Sequence, residues 1–423
     1  MGMMIVLGSC AQFKSSPIDL AQEEAGWKQQ SLSIQGSKDL KLYQARQIGL
    51  LLNADLNKSR VKLASSESVE KQAGWWNDPS FSWDAKQVLQ QNDKTINLDG
   101  GLAFTIPVTG LPALAKEVAA QYKEADYWAL RQAELDFLTS LEQEWAKLGI
   151  TLQRKGLISA RLENLKQEDT KLAELYRIGE LDSATRQMAA QRLNNALREL
   201  QTVTENELEQ KMALVKLLGM HPSSAGVFRM VPSVSDAVPG LVGTPSPVQL
   251  MGSPKLLSQL AAYASNETQL KTEIRKQYPE IELGPAFTRD DGEKELGLSL
   301  GFDIPLWNRN RQAIAEAEGN RNMARLETVQ LWRDLLQNTQ QASQQQNLVR
   351  AHCLAEQQRL GSFSSNLKKQ EDLYKLGETS LADLAEGRQQ VYESKLSYLE
   401  SLGNLVQLQA QLRYLTSASL NNK

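Results

Sequence analysis

Leu296-Gly297-Leu298-Ser299-Leu300-Gly301-Phe302-Asp303-Ile304-Pro305 sets a large apolar side chain at every even position and Gly, Ser or Asp at the odd ones, until the proline stops it. Side chains of a strand point alternately to its two faces, so this stretch has one greasy face and one small, polar face. Ile96 to Ile106, followed by Pro107, repeats the alternation. The spacing is regular: Phe104-Thr105-Ile106-Pro107 recurs as Phe302-Asp303-Ile304-Pro305, and Leu175-Tyr176-Arg177-Ile178-Gly179-Glu180 recurs as Leu373-Tyr374-Lys375-Leu376-Gly377-Glu378, both 198 positions on. One long structural unit is used twice.

Each alternating stretch has a partner before it. Phe81, Trp83 and Ala85 alternate with Ser80, Ser82 and Asp84; Ile281, Leu283 and Phe287 alternate with Glu282, Gly284 and Thr288. Polar loops, Gln90 to Lys94 and Arg289 to Lys294, join the partners into two hairpins. Strands of roughly 9–11 residues cross a bilayer when tilted, and one-faced alternation with aromatics at the ends is the mark of a membrane β-barrel. The alternative is an ordinary hairpin with one face on a soluble core. Two copies, each set between helices too narrow to cover a wide sheet, favour the barrel.

After each proline the period changes from 2 to about 3.6, and runs of about 65 residues without Pro follow, long enough for helices of roughly 100 Å. They break at Gly179 and Gly377, which suit the left-handed position after a helix end. Asp182 and Ser380 restart the chain as N-caps, with Asp383 completing a capping box. Leu384, Val391, Tyr398, Leu405 and Leu412 then form a heptad seam, which demands partner helices. Each half therefore ends in a helical hairpin with a tight tip.

The 423 residues carry 6% aromatics, a net charge of −3 and no basic block, which argues against nucleic-acid binding. Mean hydropathy is −0.42, and no apolar run of about 18 residues offers a transmembrane helix. Cys10 and Cys353 are the two cysteines and His221 and His352 the two histidines. They make neither a disulfide framework nor a metal site. No nucleophile–base set, phosphate loop or HExxH is present, so the chain is not expected to be an enzyme or to need a cofactor.

At the start, Leu7-Gly8-Ser9-Cys10 looks like a bacterial lipobox, with Cys10 the lipidation site. The expected organisation is a signal remnant and extended segment at 1–38, a first repeat at 39–222 (hairpin 80–106, tip near 177–182), a Pro- and Gly-rich linker at 223–254 on the outside of the helices, a second repeat at 255–417 (hairpin 280–304, tip near 375–380) and a tail at 418–423. Residues 39–74 and 255–276 read as helical stretches before the strands.

This pattern resembles the TolC family of outer-membrane factors from about Asp39 to Thr416. Phe302 to Arg311, with Pro305-Leu306-Trp307-Asn308-Arg309-Asn310, looks like the strand-to-helix junction of its CzcC-like, cation-efflux branch. The resemblance implies a mixed α/β membrane protein and a homotrimer. Four strands per chain would close a 12-stranded barrel in the outer membrane, above an α-helical barrel in the periplasm. Pro107 and Pro305 would be the strand–helix swivels. Arg177, Gly179, Glu180, Lys375, Gly377 and Glu378 at the tips would dock a periplasmic adaptor protein serving an inner-membrane pump. Asp383 and Glu386 match the family's acidic ring at the periplasmic gate; the first-half equivalents, Thr185 and Met188, are not acidic. The lumen-facing acids Asp84, Asp99, Glu282 and Asp303 would suit cations. Three readings stand: the exit duct of a tripartite efflux pump for metal cations or drugs, the duct of a type I protein secretion system, and a soluble coiled-coil scaffold.

Overall fold

The computed structural model describes residues 13–33, 39–87, 96–290 and 293–415. In chain order the elements are α1 (Leu20–Ser33), β1 (Asp39–Leu40), α2 (Leu42–Leu52), α3 (Ala54–Gln72), β2 (Ser80–Gln87), β3 (Ile96–Ile106), α4 (Leu111–Arg177), α5 (Ser183–Leu217), β4 (Arg229–Met230), α6 (Pro247–Leu250), α7 (Pro254–Arg275), β5 (Ile281–Asp290), β6 (Glu293–Phe302), α8 (Arg311–Leu376) and α9 (Leu381–Arg413). The order helix, strand, strand, long helix, shorter helix occurs twice.

α4 and α8, with 67 and 66 residues, each run about 100 Å at 1.5 Å per residue. No single partner is that long. Along α4, α3 covers one part and α5 another; α7 and α9 do the same for α8, and α4 also packs on α7 and α9. The helices thus form a layer one helix deep, with α4 inside and α8 at one edge. Most of their stability comes from packing apolar stripes against neighbouring helices.

The largest core lies where α2, the start of α3, α4, the end of α5 and the end of α9 meet, around Leu56, Leu138, Leu141, Trp145, Leu214 and Leu218. Buried within it is Glu142. Arg46 and Tyr414 donate to its Oε1, and Arg413 Nη1 donates to Oε2 at 2.7 Å. Burial and the bond to Glu142 push the Tyr414 phenol up.

The linker is laced onto the helices through its own backbone. Gln153 on α4 donates to Val234 O at 2.9 Å, Arg350 on α8 to Pro239 O at 3.1 Å and Gln409 on α9 to Gly240 O at 2.7 Å, while Gln346 bonds both the N–H and the carbonyl of Val242. Tyr398, in the heptad seam, donates to Asp236 O. Val234 and Val238 pack against Cys353, Tyr398, Leu402 and Leu405.

Three expectations change. Residues 39–74 are not one helix: Asp39–Leu40 pairs in parallel with Arg229–Met230, and Asn53 ends α2 and caps α3, accepting from Asp55 N and Leu56 N. The N-terminal segment expected as extended contains α1, because Asp19 caps a run of good helix formers, accepting from Ala21 N at 3.0 Å. The last strand stops at Phe302, so Asp303 is not a strand residue; it lies in the turn leading to Pro305. Cys10 lies outside the described residues.

Candidate functional site

The four long strands form one antiparallel sheet in the order β2-β3-β5-β6. Residues opposite each other in the register share a face. Phe81 faces Leu102, Ala85 faces Leu98, Phe104 faces Leu283, Leu283 faces Leu300, and Ile281 faces Phe302. All the greasy positions of both halves therefore fall on a single face. Among the described residues nothing covers it: Leu296 is 83% exposed and Leu298 74%. A contiguous exposed apolar face marks a surface that meets a partner or a membrane.

The opposite face carries Ser82, Asp84, Asp99, Thr105, Glu282, Thr288 and Ser299, with Asp84 directly across from Asp99 and Lys86 Nζ 3.1 Å from the Asp99 carboxylate. Glu282 and Asp303 line one polar cavity of about 550 Å³ where the sheet meets the helices. At this end of the sheet stand the exposed rings of Trp75, Trp76, Tyr278 and Trp307. Rings of that kind collect where hydrocarbon gives way to water. Among the described residues the outer strands, β2 and β6, each leave one edge unpaired, a situation that in lipid requires closure against another sheet edge.

Both junctions turn alike around their prolines. Val108 N donates to Ile106 O at 2.8 Å, and Leu306 N donates to Ile304 O at 2.9 Å. These i to i+2 bonds make inverse γ-turns centred on Pro107 and Pro305. The chain then enters its helix through a left-handed residue. In the first half this is Gly110, φ +73°, where glycine carries no strain. In the second it is Asn310, φ +53°, preceded by Arg309 at +46°. Asn310 Nδ2 donates to Glu273 O at 2.8 Å and to Glu273 Oε2 at 2.7 Å on α7. Burial opposes ionisation of Glu273, but the bonds from Lys276 and Asn310 prevail and hold its carboxyl below the usual range.

The tips are also alike. Glu180 N donates to Leu175 O and Gly179 N to Tyr176 O; Glu378 N donates to Leu373 O and Gly377 N to Tyr374 O. Gly179 and Gly377, at φ +82° and +76°, occupy the left-handed position of a Schellman end. Arg177, Glu180, Lys375 and Glu378 are exposed there, Lys375 3.1 Å from Asp372. Asp182 Oδ1 accepts from Thr185 N at 2.9 Å. Ser380 Oγ accepts from Asp383 N at 3.1 Å and donates back to the Asp383 carboxylate at 2.6 Å. Those bonds hold the Asp383 carboxyl below its usual range. Asp383 is thus a capping residue in this chain. Glu386, one turn on, is exposed and accepts from Gln390 at 3.4 Å. Both lie beside the second tip.

Sequence reasoning missed Arg161, which ties three helices together above the tips. It donates to Glu199 on α5 at 3.2 Å and Gln389 on α9 at 2.8 Å, and its guanidinium sits 4.1 Å from the Tyr392 ring centroid. Burial pushes the Tyr392 phenol up. Its only sequence signal is an Arg on a predicted helix.

Residues 249–418 match the family model described as Outer membrane efflux protein. Superposition on solved structures extends the likeness to the first half. The fold is that of the outer membrane efflux channels. The Campylobacter jejuni CmeC outer membrane channel matches with a TM-score of 0.77 at 15% identity, over 97% of this chain and 90% of that one. CusC, solved in work on folding and transmembrane channel formation, gives 0.75 at 15% identity, over 89% and 92%. The outer membrane protein VceC of Vibrio cholerae gives 0.74 at 15%, over 88% and 95%. A search of curated proteins gives no match.

Proposed function

We propose that this chain is an outer-membrane efflux channel of the CzcC-like branch: the passive exit duct of a tripartite pump, trimeric, with its sheet in the outer membrane and its helices in the periplasm. The observation that carries the reading is the four-stranded sheet whose apolar face and both edges no described element covers, mounted on helices about 100 Å long. A soluble scaffold would have to cover that face. Three copies of a four-stranded sheet close twelve strands with the apolar face outward to lipid and the acidic face inward. Asp84, Asp99 and Glu282 then line a wet bore that favours cations over anions. Light scattering in detergent should give a trimer, and planar bilayers should show its conductance. A monomer without conductance would overturn the proposal.

Asp383 and Glu386, three copies of each around the axis, would form the cation-selective gate. Asp383→Ala with Glu386→Ala should leave folding almost intact, because losing the box at Ser380 costs about 1 kcal/mol, while the reversal potential shifts toward lower cation preference. Unchanged selectivity would leave Asp383 a cap and Glu386 a surface charge.

The tips would dock the adaptor. Arg177→Glu with Lys375→Glu should cut export without reducing trimer yield. If trimers themselves vanish, the tips serve assembly and the adaptor docks elsewhere.

A further inference from the structure

The helical layer is as open as the sheet. α3 and α5 together form one outer edge and α8 the other, just as β2 and β6 are the outer strands. Exposed apolar side chains stand on those edges, Val61 and Val69 on α3, Leu208 and Met212 on α5, Leu326 and Leu348 on α8, while α4 and α7 carry Tyr122, Tyr127, Leu260 and Ile274. α9, which lies inside the layer, has no large exposed apolar residue among its described residues. Closing the sheet by joining β6 of one copy to β2 of the next therefore brings α8 of the first against α3 and α5 of the second.

Where α3 begins and α5 ends, a groove of about 1390 Å³ opens. Its third wall is α1, which contributes Trp27 and Gln30. Trp27 is pinned: its indole Nε1 donates to Gly219 O at 2.8 Å, and its ring meets His221 edge-on at 4.8 Å. Among the described residues α1 is otherwise held only near His221, whose backbone N–H donates to Ser31 Oγ at 2.8 Å and whose Nε2 lies 3.9 Å from Glu24; only Ser31 among its residues is buried. A helix so placed gains little from its own chain.

We propose that α1 is an inter-subunit clasp: the groove receives α8 of a second copy around Leu348, and Trp27 closes over it. The proposal rests on the trimeric-channel reading. Heights within one chain support it. Gln143 on α4 donates to Gln407 O on α9 at 3.3 Å, and the linker beside it, through Pro239, Gly240 and Val242, bonds Arg350, Gln409 and Gln346. Residues 346–350 of α8 thus stand level with residue 143 of α4, close to Leu138 and Leu141, which share a core with Leu56 and Leu214 beside the groove. Rotation about an axis parallel to the helices preserves height. The neighbour's α8 therefore meets the groove with residues 346–350. Leu348, 71% exposed, is the only large exposed apolar residue of α8 between Val329 and Leu373.

The test is disulfide trapping in the full chain. Met212→Cys is combined in turn with Gln341→Cys, Gln345→Cys, Leu348→Cys and His352→Cys, then oxidised. Covalently joined subunits are expected, strongest with Leu348→Cys and absent from every single variant. Trimers by light scattering that cross-link at none of the four positions would overturn the clasp alone. A monomer in detergent would overturn the clasp and the trimeric reading together. In parallel, Trp27→Ala should weaken subunit association about tenfold or more, as loss of a buried aromatic anchor does, with unchanged helical circular dichroism. Undiminished association would also overturn the clasp.

Discussion

Leu298→Arg should prevent the chain from assembling in the outer membrane. Leu298 sits mid-strand in β6, opposite Pro285, on the bare apolar face. An arginine on the lipid side of a barrel costs about 2–4 kcal/mol near the midplane, and a closed trimer would carry that cost three times. Trimer recovered from membranes and its resistance to urea are the measurements. Ser299→Arg, one residue on and pointing to the other face, would meet water in the proposed bore and should be tolerated. The paired comparison tests the register as well as the membrane. If Ser299→Arg blocks assembly and Leu298→Arg does not, the two faces are reversed.

Glu142→Ala should be the most damaging change outside the sheet. The carboxylate is buried and takes bonds from Arg46, Arg413 and Tyr414. Removing the carboxylate takes the Glu142 acceptor from the buried Tyr414 hydroxyl and the ionic partner from the partly solvated Arg46 and Arg413, and costs about 1–3 kcal/mol. The damage should be local first, because Arg413 and Tyr414 hold the end of α9 against α4. Hydrogen exchange should rise at the last turns of α9 before it rises at the tips. Glu142→Gln keeps an acceptor oxygen and should lose less. Wild-type exchange in Glu142→Ala would show that the apolar core alone seats the end of α9.

The strands were legible because their alternation has a period of two and a single sign; Phe302 and Ile281 fall on one face whichever way the pairing is drawn. The tips were legible because Gly179 and Gly377 supply a backbone angle that other residues resist. Asp182 and Ser380 announced the return helices by side chains that bond the nearby backbone. Elsewhere the decisive partners are backbone atoms or distant residues. The linker is held by its carbonyls, which every residue has, so no side-chain pattern marks it. The Glu142 cluster joins α2, α4 and the end of α9, and nothing in local sequence brings Arg46 to Arg413. Asp303 continued the alternation but fell in the turn before Pro305, where the pairing to β5 had already ended. α1 was not legible because Leu20 to Ser33 has no apolar stripe to mark a helix face.

The two strand-to-helix junctions differ in one respect that bears on mechanics. Gly110 can rotate with little resistance, whereas Asn310 is stapled to Glu273 on the neighbouring helix. A load applied at the second tip therefore travels along α8 and is shared with α7 before it reaches the sheet. The same load on the first arm is spent as rotation at Gly110. The chain behaves as a stiff lever beside a compliant one, and a motion at the far end should swing mainly on the first arm, leaving the sheet undisturbed.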